Sequence, residues 1–595
     1  MTATRAYIEK AKNGESIYLF EVKRQFDTEG VPVKCVLALS GGGEREFLIG
    51  LPEPQDEEEA AFIRSYFYAR VYNILSMLGG RCMTVYTAQR GFAWDLAASL
   101  EQVFGVDVPR AQRSGYAKCL TVTDRINIAL GAEPFSFRFA QGDTVLSGVK
   151  EEQAAVHDIT AAFRRAVEKS SDGLICGLDV GGTDIKVVGA KHGHIDHIKE
   201  YDWFPAAFPC IDPIVDTVML LARLSRALLS LNGEIPGEIA EIRQAVLRRE
   251  ASVAEMEQGV AKLEAYIGSV TPLDAVGLSF PDVVIRDKIV GGETYKTKGV
   301  REHSPNYESE FKRLTVLNER LATLCRAGGA VHITNDGPMA AYTAAVELAH
   351  SPQAAEVRNG IFAHTLGTEL GTGWINEMGE VPEYPLEVYN CIIDLGNEPA
   401  KAYHSGDVRS LNNFNTGLAG TLQKYTSQSG AFRLAEEYYR ESAPALYGEL
   451  FEKGFITVES EHSMVPTVEP VDLRKKFLEH LMAQAEGGIP EAERIFREIG
   501  EYLAATWLET EDVLHPAAKP RVLYGRFVKR RRCFELMLEG ARGILPNIAL
   551  SPADDELAFT PLMCELRDDP SYSVAQFGQA AGAVYFAASA LSDKS

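Results

Sequence analysis

The chain lacks the features that mark several common classes of protein. Its nine cysteines are scattered over 595 residues, with no CxxC pair and no histidine and cysteine cluster at zinc-binding spacing. This excludes a typical zinc module and argues against a disulfide framework. Acidic residues outnumber basic residues by 83 to 60, which gives a net charge of −23. A basic surface for nucleic-acid phosphates is therefore not expected, and we predict no nucleic-acid partner.

Long hydrophobic runs are missing as well. The longest, such as residues 340–348 and 580–591, are shorter than the roughly 18 to 20 residues that span a bilayer. The first 16 residues lack the charged and then apolar pattern of a signal peptide. The sequence therefore predicts a cytoplasmic protein with no membrane partner. Hydrophobic residues make up 46% of the chain, which is typical of globular proteins and provides for several domain cores.

The pattern of predicted elements changes near residue 170. The stretch SSDG at 170–173 has the composition of a linker. Before it, strand and helix signals predict a mixed α/β unit. Its predicted strands are 16–23 and 31–39, and its predicted helices are 56–78, 93–104 and 150–169. After it, short apolar strands separated by glycine turns lead into alternating helices and strands, which predicts α/β layers.

Residues 237–269 are rich in Glu, Ala, Arg and Leu and carry apolar residues at helical spacing. Two interpretations stay open for this predicted helix. It can form a coiled-coil-like contact in a homodimer, or it can pack on its own domain, which is the commoner arrangement.

The clearest chemical signal is the segment DVGGTDIK, which begins at Asp179. Gly181 and Gly182 follow an apolar strand, so the backbone can turn tightly and present N–H groups to an anion. Thr183 can donate to the same anion, and Lys186 can offset its charge. Asp179 can hold Mg²⁺, usually through water, because Mg²⁺ dehydrates reluctantly. Taken alone, the segment is equally compatible with a plain Gly-Gly hairpin.

A second glycine-rich turn lies in HTLGTELGTGWI, which begins at His364. Its candidate phosphate ligands are Gly367, Thr368 and Gly371. Two turns of this kind are what a nucleotide needs when its phosphates are held from two lobes. Neither turn is a Walker A loop or a GxGxxG motif that opens a helix.

Between the two turns, a strand delivers Asn335 and Asp336 to the start of a helix of small residues. An aspartate there can take the proton of a substrate hydroxyl as that hydroxyl attacks a γ-phosphate, and the asparagine can orient the substrate. Alone, Asp336 would be interpreted as a helix cap. Its position between two phosphate turns favours the catalytic interpretation.

The segments DVGGTDIK, TNDGPMAA and LGTELGTG together resemble the first phosphate, catalytic and second phosphate segments of ROK and hexokinase-like sugar kinases. These enzymes belong to the actin-like ATPase superfamily. The resemblance implies an α/β protein with the two-lobed actin-like ATPase (ribonuclease H-like) fold, each lobe having a five-stranded mixed sheet, and an extra N-terminal α/β domain. The implied domains are 1–170, 171–345 with a helical insertion near 237–269, and 346–595.

The resemblance also implies roles for individual residues. Asp336 would be the general base, Asp179 would position Mg²⁺ and Asn335 would contact the sugar. Glu387 falls near the position of a sugar-contacting glutamate, and Gly525 falls in the turn that binds adenosine. The implied activity is ATP-dependent transfer of a phosphoryl group to a hydroxyl of a sugar or related small polyol, with MgATP between the lobes.

Three stretches depart from the family pattern. The GExGH segment and the cysteine cluster after the second phosphate turn are absent. In GLSFPDVV, which resembles the segment before the sugar-binding loops, Asp282 stands where a glycine is expected. The adenosine turn has a single glycine and is followed by a basic run at 526–532, interpreted here as solvated charge. A loop at 291–300 takes the place of a substrate loop, or is an ordinary surface loop; its charged candidates are Glu293, Lys296 and Lys298.

These departures leave other functions open. A catalytically reduced nucleotide or sugar sensor of the same fold is favoured by the weak adenosine turn and the missing sugar segment. A DNA-binding ROK repressor is disfavoured because residues 1–170 show no evident helix-turn-helix. An actin-like or chaperone ATPase is disfavoured by the pair Asn335 and Asp336, which fits the sugar kinases better.

Overall fold

The computed structural model describes residues 1–146, 158–291, 295–366, 370–397, 408–410, 412–413, 415–459, 462–464, 471–553 and 556–592. The α-helices, in chain order, are α1 Ala3–Lys12, α2 Leu19–Glu29, α3 Glu57–Leu78, α4 Phe92–Val103, α5 Cys119–Ala129, α6 Thr160–Ser170, α7 Asp212–Leu229, α8 Gly237–Leu247, α9 Val253–Ile267, α10 Lys298–His303, α11 Tyr307–Thr315, α12 Leu317–Ala322, α13 Asp336–Ala349, α14 Leu422–Thr426, α15 Gln428–Ser442, α16 Pro444–Glu452, α17 Val471–Glu486, α18 Pro490–Leu514, α19 Arg531–Ile544, α20 Pro561–Asp568 and α21 Val574–Ser589.

The strands, in chain order, are β1 Val31–Ala38, β2 Glu44–Leu51, β3 Cys82–Thr87, β4 Ser136–Gln141, β5 Leu174–Val180, β6 Asp184–Lys191, β7 His194–Asp202, β8 Leu273–Phe280, β9 Val284–Ile285, β10 Lys288–Ile289, β11 Cys325–Asn335, β12 Ile361–Leu366, β13 Leu370–Ile375, β14 Thr457–Glu459, β15 His462–Met464, β16 Arg521–Gly525 and β17 Leu550–Pro552. The protein is therefore a mixed α/β protein, as predicted.

Residues 1–146, called the N-terminal unit below, contain a four-stranded sheet in the order β2-β1-β3-β4. The predicted helix at 56–78 is confirmed as α3, and it begins after Asp56, whose side chain accepts from the Glu59 amide. The predicted strand at 16–23 is wrong, because residues 19–29 form α2. A helix forms there instead because Leu19, Val22 and Phe26 fall on one helical face and are buried together.

The first sheet of the remaining chain has five strands in the order β7-β6-β5-β8-β11. β5, β6 and β7 form an antiparallel meander, and β8 and β11 run parallel to β5. The predicted meander after residue 173 is confirmed. Parallel strands that end at one edge of a sheet bring their carboxyl-terminal residues together.

The second sheet has four strands among the described residues, in the order β13-β12-β16-β17. It repeats the pattern of one antiparallel pair followed by two parallel strands. The described residues of this sheet therefore show four of the five strands that the resemblance implies. After β13 the chain instead runs along the N-terminal unit, where Leu386 and Glu387 donate backbone bonds to Met77 and Ser76.

Two helices of small residues lie between these two sheets. Helix α21 packs on β5 and β8, and α13 packs on β12, β13 and α21. Because Gly177 and Gly277 lack a Cβ, the backbone of α21 comes directly onto the first sheet. Helix α6 contacts both helices through Phe163 and Val167. The predicted domain boundaries at 170 and 345 stay predictions; α21 lies on the first sheet although it belongs to the last part of the chain.

The stretch 237–269 forms two helices, α8 and α9, rather than one. Ser252 and Glu255 form a capping box that starts α9 anew. Helix α9 packs on α7, and α8 packs on α9 and β7, so the apolar residues of both helices join the chain's own core. Packing on its own domain, the commoner of the two interpretations, is thus observed.

The N-terminal unit contacts both parts that carry the other two sheets. Arg70 of α3 forms buried ion pairs with Glu509 and Asp512 of α18. Arg125 of α5 forms a two-pronged ion pair with Glu308 of α11, with both distances 2.9 Å. In the described part of the chain, no helix is both long enough and apolar enough to cross a membrane.

Candidate active site

The first predicted phosphate turn connects β5 to β6 at the carboxyl end of β5. The Gly181 amide donates to the Asp184 carbonyl oxygen at 2.8 Å. A Cβ on Gly181 would lie 2.9 Å from that oxygen, which is closer than real Cβ contacts allow. A Cβ on Gly182 would meet only Lys296, at 3.4 Å. Packing therefore requires the first glycine, whereas the second leaves the backbone accessible to a ligand. Thr183 is exposed beside them.

Asp179 lies on β5 just before this turn, and Lys186 is aligned with it on β6. Burial raises the pKa of Asp179, and Lys186 opposes that rise. Burial alone would lower the pKa of Lys186, but the charges of Asp179 and Asp184 raise it. The Lys186 ammonium also contacts the Asp184 carboxylate. This cluster has two acidic side chains and one basic side chain, so its net charge is negative when all three are ionised. A negative net charge suits a bound cation.

Asn335 and Asp336 lie where β11 ends and α13 begins. Asn335 is the cap of the helix: its side-chain oxygen accepts from the Gly337 amide at 2.9 Å. Asp336 is the first residue of the helix and its side chain is 37% exposed. One carboxylate oxygen accepts from the Gly337 amide at 3.0 Å, and the other lies 4.0 Å from the Lys296 Nζ. One oxygen of Asp336 is thus bound to the start of the helix, and the other lies toward Lys296.

Lys296 contacts both the first glycine turn and Asp336. Its ammonium faces Asp336, and its aliphatic carbons lie against Gly182. The negative charge of Asp336 also acts on Asp179 and adds to the rise in the pKa of Asp179. The structure therefore brings the first turn, Asp179 and Asp336 together, as the sequence predicts.

The second glycine-rich turn is described only in part, because Gly367 and Thr368 lie outside the described residues, as does Glu293. Gly371 is on β13, opposite Thr365 of β12. Further along β13, Gly373 meets the start of α13 so closely that a Cβ on it would overlap the Gly337 carbonyl oxygen. The second hairpin is therefore packed directly against the turn that carries Asp336.

Gly525 ends β16 and is aligned with Leu366, the last residue of β12. Its φ is +106°, and a Cβ would overlap the Leu366 carbonyl oxygen, so only glycine fits there. Gly525 thus lies at the same edge of the second sheet as the second turn. The basic run that follows pairs with acidic side chains: Arg526 with Glu479, Arg530 with Glu486 and Arg532 with Glu493.

Glu387 lies against the N-terminal unit. Its backbone amide donates to Ser76 of α3, and its carboxylate accepts from the Asn390 side chain at 2.9 Å. Its role as a sugar contact stays a prediction.

The sequence did not single out Asp184 as a site residue. It shares a face of β6 with Lys186, since residues two apart on a strand point to the same side. That alternation was the signal that could have identified it.

No protein-family model matches the chain, and no curated protein matches it in sequence. In three dimensions, the chain is similar to sugar kinases of the ROK family.

A ROK hexokinase from Thermus thermophilus shares 15% identity and a TM-score of 0.35, over 64% of this chain and 92% of that one. A ROK glucokinase from Streptomyces griseus, in complex with glucose and AMPPNP, shares 18% identity and a TM-score of 0.37, over 70% and 98%. A ROK transcriptional regulator, a homolog of the E. coli MLC protein, shares 13% identity and a TM-score of 0.38, over 70% and 79%. Kinases and a regulator are thus both among the similar structures.

Proposed function

We propose that the chain is an ATP-dependent phosphotransferase that acts on a hydroxyl of a sugar or related small polyol. The observation that carries this proposal is the meeting of Asp179, the glycine turn after β5 and Asp336, with Lys296 reaching from the turn to Asp336. An anion-binding turn, a carboxylate for a cation and a second carboxylate for a proton are the parts that phosphoryl transfer needs.

The topology supports a two-lobed actin-like ATPase fold. The first sheet has the ribonuclease H-like order, and the second repeats four of its five strands. In open sheets with parallel strands, ligands bind beyond the carboxyl ends of the strands. Asp179 and Asn335 lie at those ends of β5 and β11, and Gly525 at that of β16. A nucleotide lying between the two edges would meet both glycine-rich turns.

The residues also fit a magnesium ion. Among the described residues, no group of three or more His, Cys, Asp or Glu side chains could hold a metal by itself. Mg²⁺ does not need such a cage, because proteins commonly hold it by one or two carboxylates together with phosphates and water. Asp179 would hold it, with Asp184 nearby. When bound, the ion would neutralise charge on the transferred phosphoryl group.

The proposed reaction is a single displacement. The substrate hydroxyl oxygen forms a bond to the γ-phosphorus, and the bond from that phosphorus to the β,γ-bridging oxygen breaks. The electron pair of that bond leaves with ADP, and the hydroxyl proton moves to the Asp336 carboxylate. Asn335, fixed as the helix cap, would orient the hydroxyl. The amides of the turn, Lys186 and Lys296 would supply the positive charge around the phosphates.

The test is Asp336→Asn in the full chain, assayed for ADP release with MgATP across a panel of sugars and polyols. We expect turnover to fall by about 10² to 10⁴-fold, because the general base is lost, while MgATP still raises the melting temperature. Turnover that stays near the wild-type rate in Asp336→Asn would overturn the assignment of the base. If the wild-type protein binds MgATP but turns over no sugar, the sensor interpretation replaces the kinase.

A further inference from the structure

A buried carboxylate without a full set of partners lies next to the proposed site. Asp282 follows β8 and is 2% exposed. Its Oδ1 accepts from the Val283 amide at 2.9 Å, but its Oδ2 has no hydrogen-bond partner among the described residues. An unsatisfied buried acceptor is costly to a fold, so such groups call for an explanation. A ligand that donates a hydrogen bond would supply one.

The position of Asp282 ties it to the proposed site. Its backbone oxygen accepts from the Asn335 side chain at 2.9 Å, and Asn335 is the cap of the helix that begins with Asp336. Lys296, which faces Asp336, also acts electrostatically on Asp282. Asp282 therefore contacts the residue next to the proposed base and shares a cation with that base.

Positive charge faces Asp282 from three elements. Arg125 comes from α5 of the N-terminal unit, Arg301 from α10, and Lys296 from the segment before α10. The hydroxyl of Tyr307 on α11 is the further titratable group near it. Burial raises the pKa of Asp282 to about 7, and the three cations oppose this rise.

We propose that Asp282 binds a hydroxyl of the substrate through Oδ2 and so helps to select a neutral polyol. This inference rests on the proposed function. The charges decide the class of substrate. The ammonium of an amino sugar would bring a fourth cation toward Arg125, Arg301 and Lys296, and the carboxylate of a sugar acid has no proton to donate to Oδ2. A neutral hydroxyl satisfies the unpaired oxygen without either cost.

Arg125 gives the N-terminal unit a positioning role beside Asp282. Its guanidinium lies over the rings of Tyr307 and Phe311, at 5.9 and 6.0 Å from their centroids. Glu308 holds it from the other side. A Cβ on Gly291 would lie 3.2 Å from the Arg125 Nη1, so the arginine reaches the first residue of the 291–300 segment, which the sequence leaves open as a substrate loop or an ordinary surface loop.

The experiment compares wild type with Asp282→Asn, in the full chain, by steady-state kinetics and by calorimetric binding. The probes are neutral aldohexoses with their matching amino sugars and uronic acids. For the neutral substrate we expect KM to rise by about ten- to hundred-fold, since a hydrogen bond to a charged group is lost, while kcat and the KM for ATP stay within about three-fold. Glu308→Gln, which loosens Arg125 and leaves Asp282 in place, should raise the same KM by a smaller factor.

The pH profile separates ligand binding from a structural role. A hydroxyl bound to the ionised carboxylate lowers the pKa of Asp282, so wild-type affinity should rise from about pH 6 to pH 8 and binding should release protons. Asp282→Asn should lose this dependence. Glu383→Gln, which removes an exposed ion pair with Arg286, is the control and should change neither KM nor the profile.

The outcomes distinguish this inference from the proposed function. Unchanged sugar KM and an unchanged pH profile in folded Asp282→Asn overturn the inference and leave the kinase standing. Sugar binding without turnover in wild type, lost in Asp282→Asn, supports the inference and overturns the kinase. A wild-type protein that binds no sugar overturns both.

Discussion

At the scale of single residues, Lys296 in the segment before α10 makes two contacts that bear on the proposed site. Lys296 lies against Gly182 with its carbons and faces Asp336 with its ammonium. It is therefore placed to offset the charge of a phosphate on the turn while it keeps Asp336 near a cation. Lys298, two residues on, is 47% exposed and pairs within its own helix with Glu302.

Replacing each lysine by methionine distinguishes a lysine that acts at the proposed site from a lysine that is only surface charge. Lys296→Met should lower kcat/KM for MgATP by about 10² to 10³-fold, because removing a donor aimed at developing charge typically costs that much. Lys298→Met should change it less than two-fold, since exposed ion pairs contribute about 0 to 1 kcal/mol. Steady-state kinetics at saturating sugar measures both. Equal effects of the two substitutions would show that Lys296 acts only as surface charge.

The arrangement of the first turn could be predicted, because Asp179, Gly181, Gly182 and Lys186 lie within one short segment and a hairpin fixes their relative positions. Lys296 was one of three equal candidates, and its selection depends on contacts between distant segments. Asp282 stood out only as a departure from a family pattern. That its second oxygen lacks a partner follows from burial, which no local pattern determines.

At the scale of secondary-structure elements, the contact between β13 and α13 fixes the position of Asp336. Gly373 and Gly337 touch through their backbones, so the second hairpin and the turn that carries Asp336 are held with no side chain between them. A methyl group at Gly373 would push α13 away from the sheet.

We expect Gly373→Ala to destabilise the protein by about 1 to 3 kcal/mol through overpacking and to reduce turnover more than it reduces MgATP binding. Gly543→Ala is the matched control, because Gly543 lies in α19 with open space at its Cβ position. The control should stabilise by about 0.5 to 1 kcal/mol, the helix preference of alanine over glycine. Urea unfolding measures both, and equal stability of wild type and Gly373→Ala would contradict the close contact.

The prediction of helices and strands was correct where a clear sequence pattern extended over many residues. It was wrong where tertiary contacts determine the structure. The helix at 56–78 was found from its acidic start and its length. Residues 19–29 were partly assigned to a strand, because a short run of aromatic and β-branched residues fits either period. That the part of this sheet the structure describes has four strands could not be foreseen, since the described chain after β13 pairs with the N-terminal unit instead.

At the scale of the whole molecule, the N-terminal unit is attached to the rest by a buried charge cluster. Arg70 is 1% exposed, and its guanidinium bonds to Glu509 and Asp512 of α18. Asn73, one turn further along α3, donates to the Glu509 carboxylate and to the Ile392 carbonyl oxygen. Removing the arginine would leave the buried Glu509 carboxylate without its guanidinium partner, whereas removing both charges would not.

This asymmetry gives a prediction for the attachment of the unit. Arg70→Met should lower the free energy of unfolding by about 3 to 5 kcal/mol, the usual cost of breaking a buried pair on one side. Adding Glu509→Gln should recover part of that loss, because the two sites are coupled. Arg64→Met, at an exposed pair with Glu57, should cost less than about 1 kcal/mol. Denaturant unfolding of these four proteins and of the single variant Glu509→Gln tests this, and purely additive losses in the double variant would show that Arg70 and Glu509 do not act as a pair.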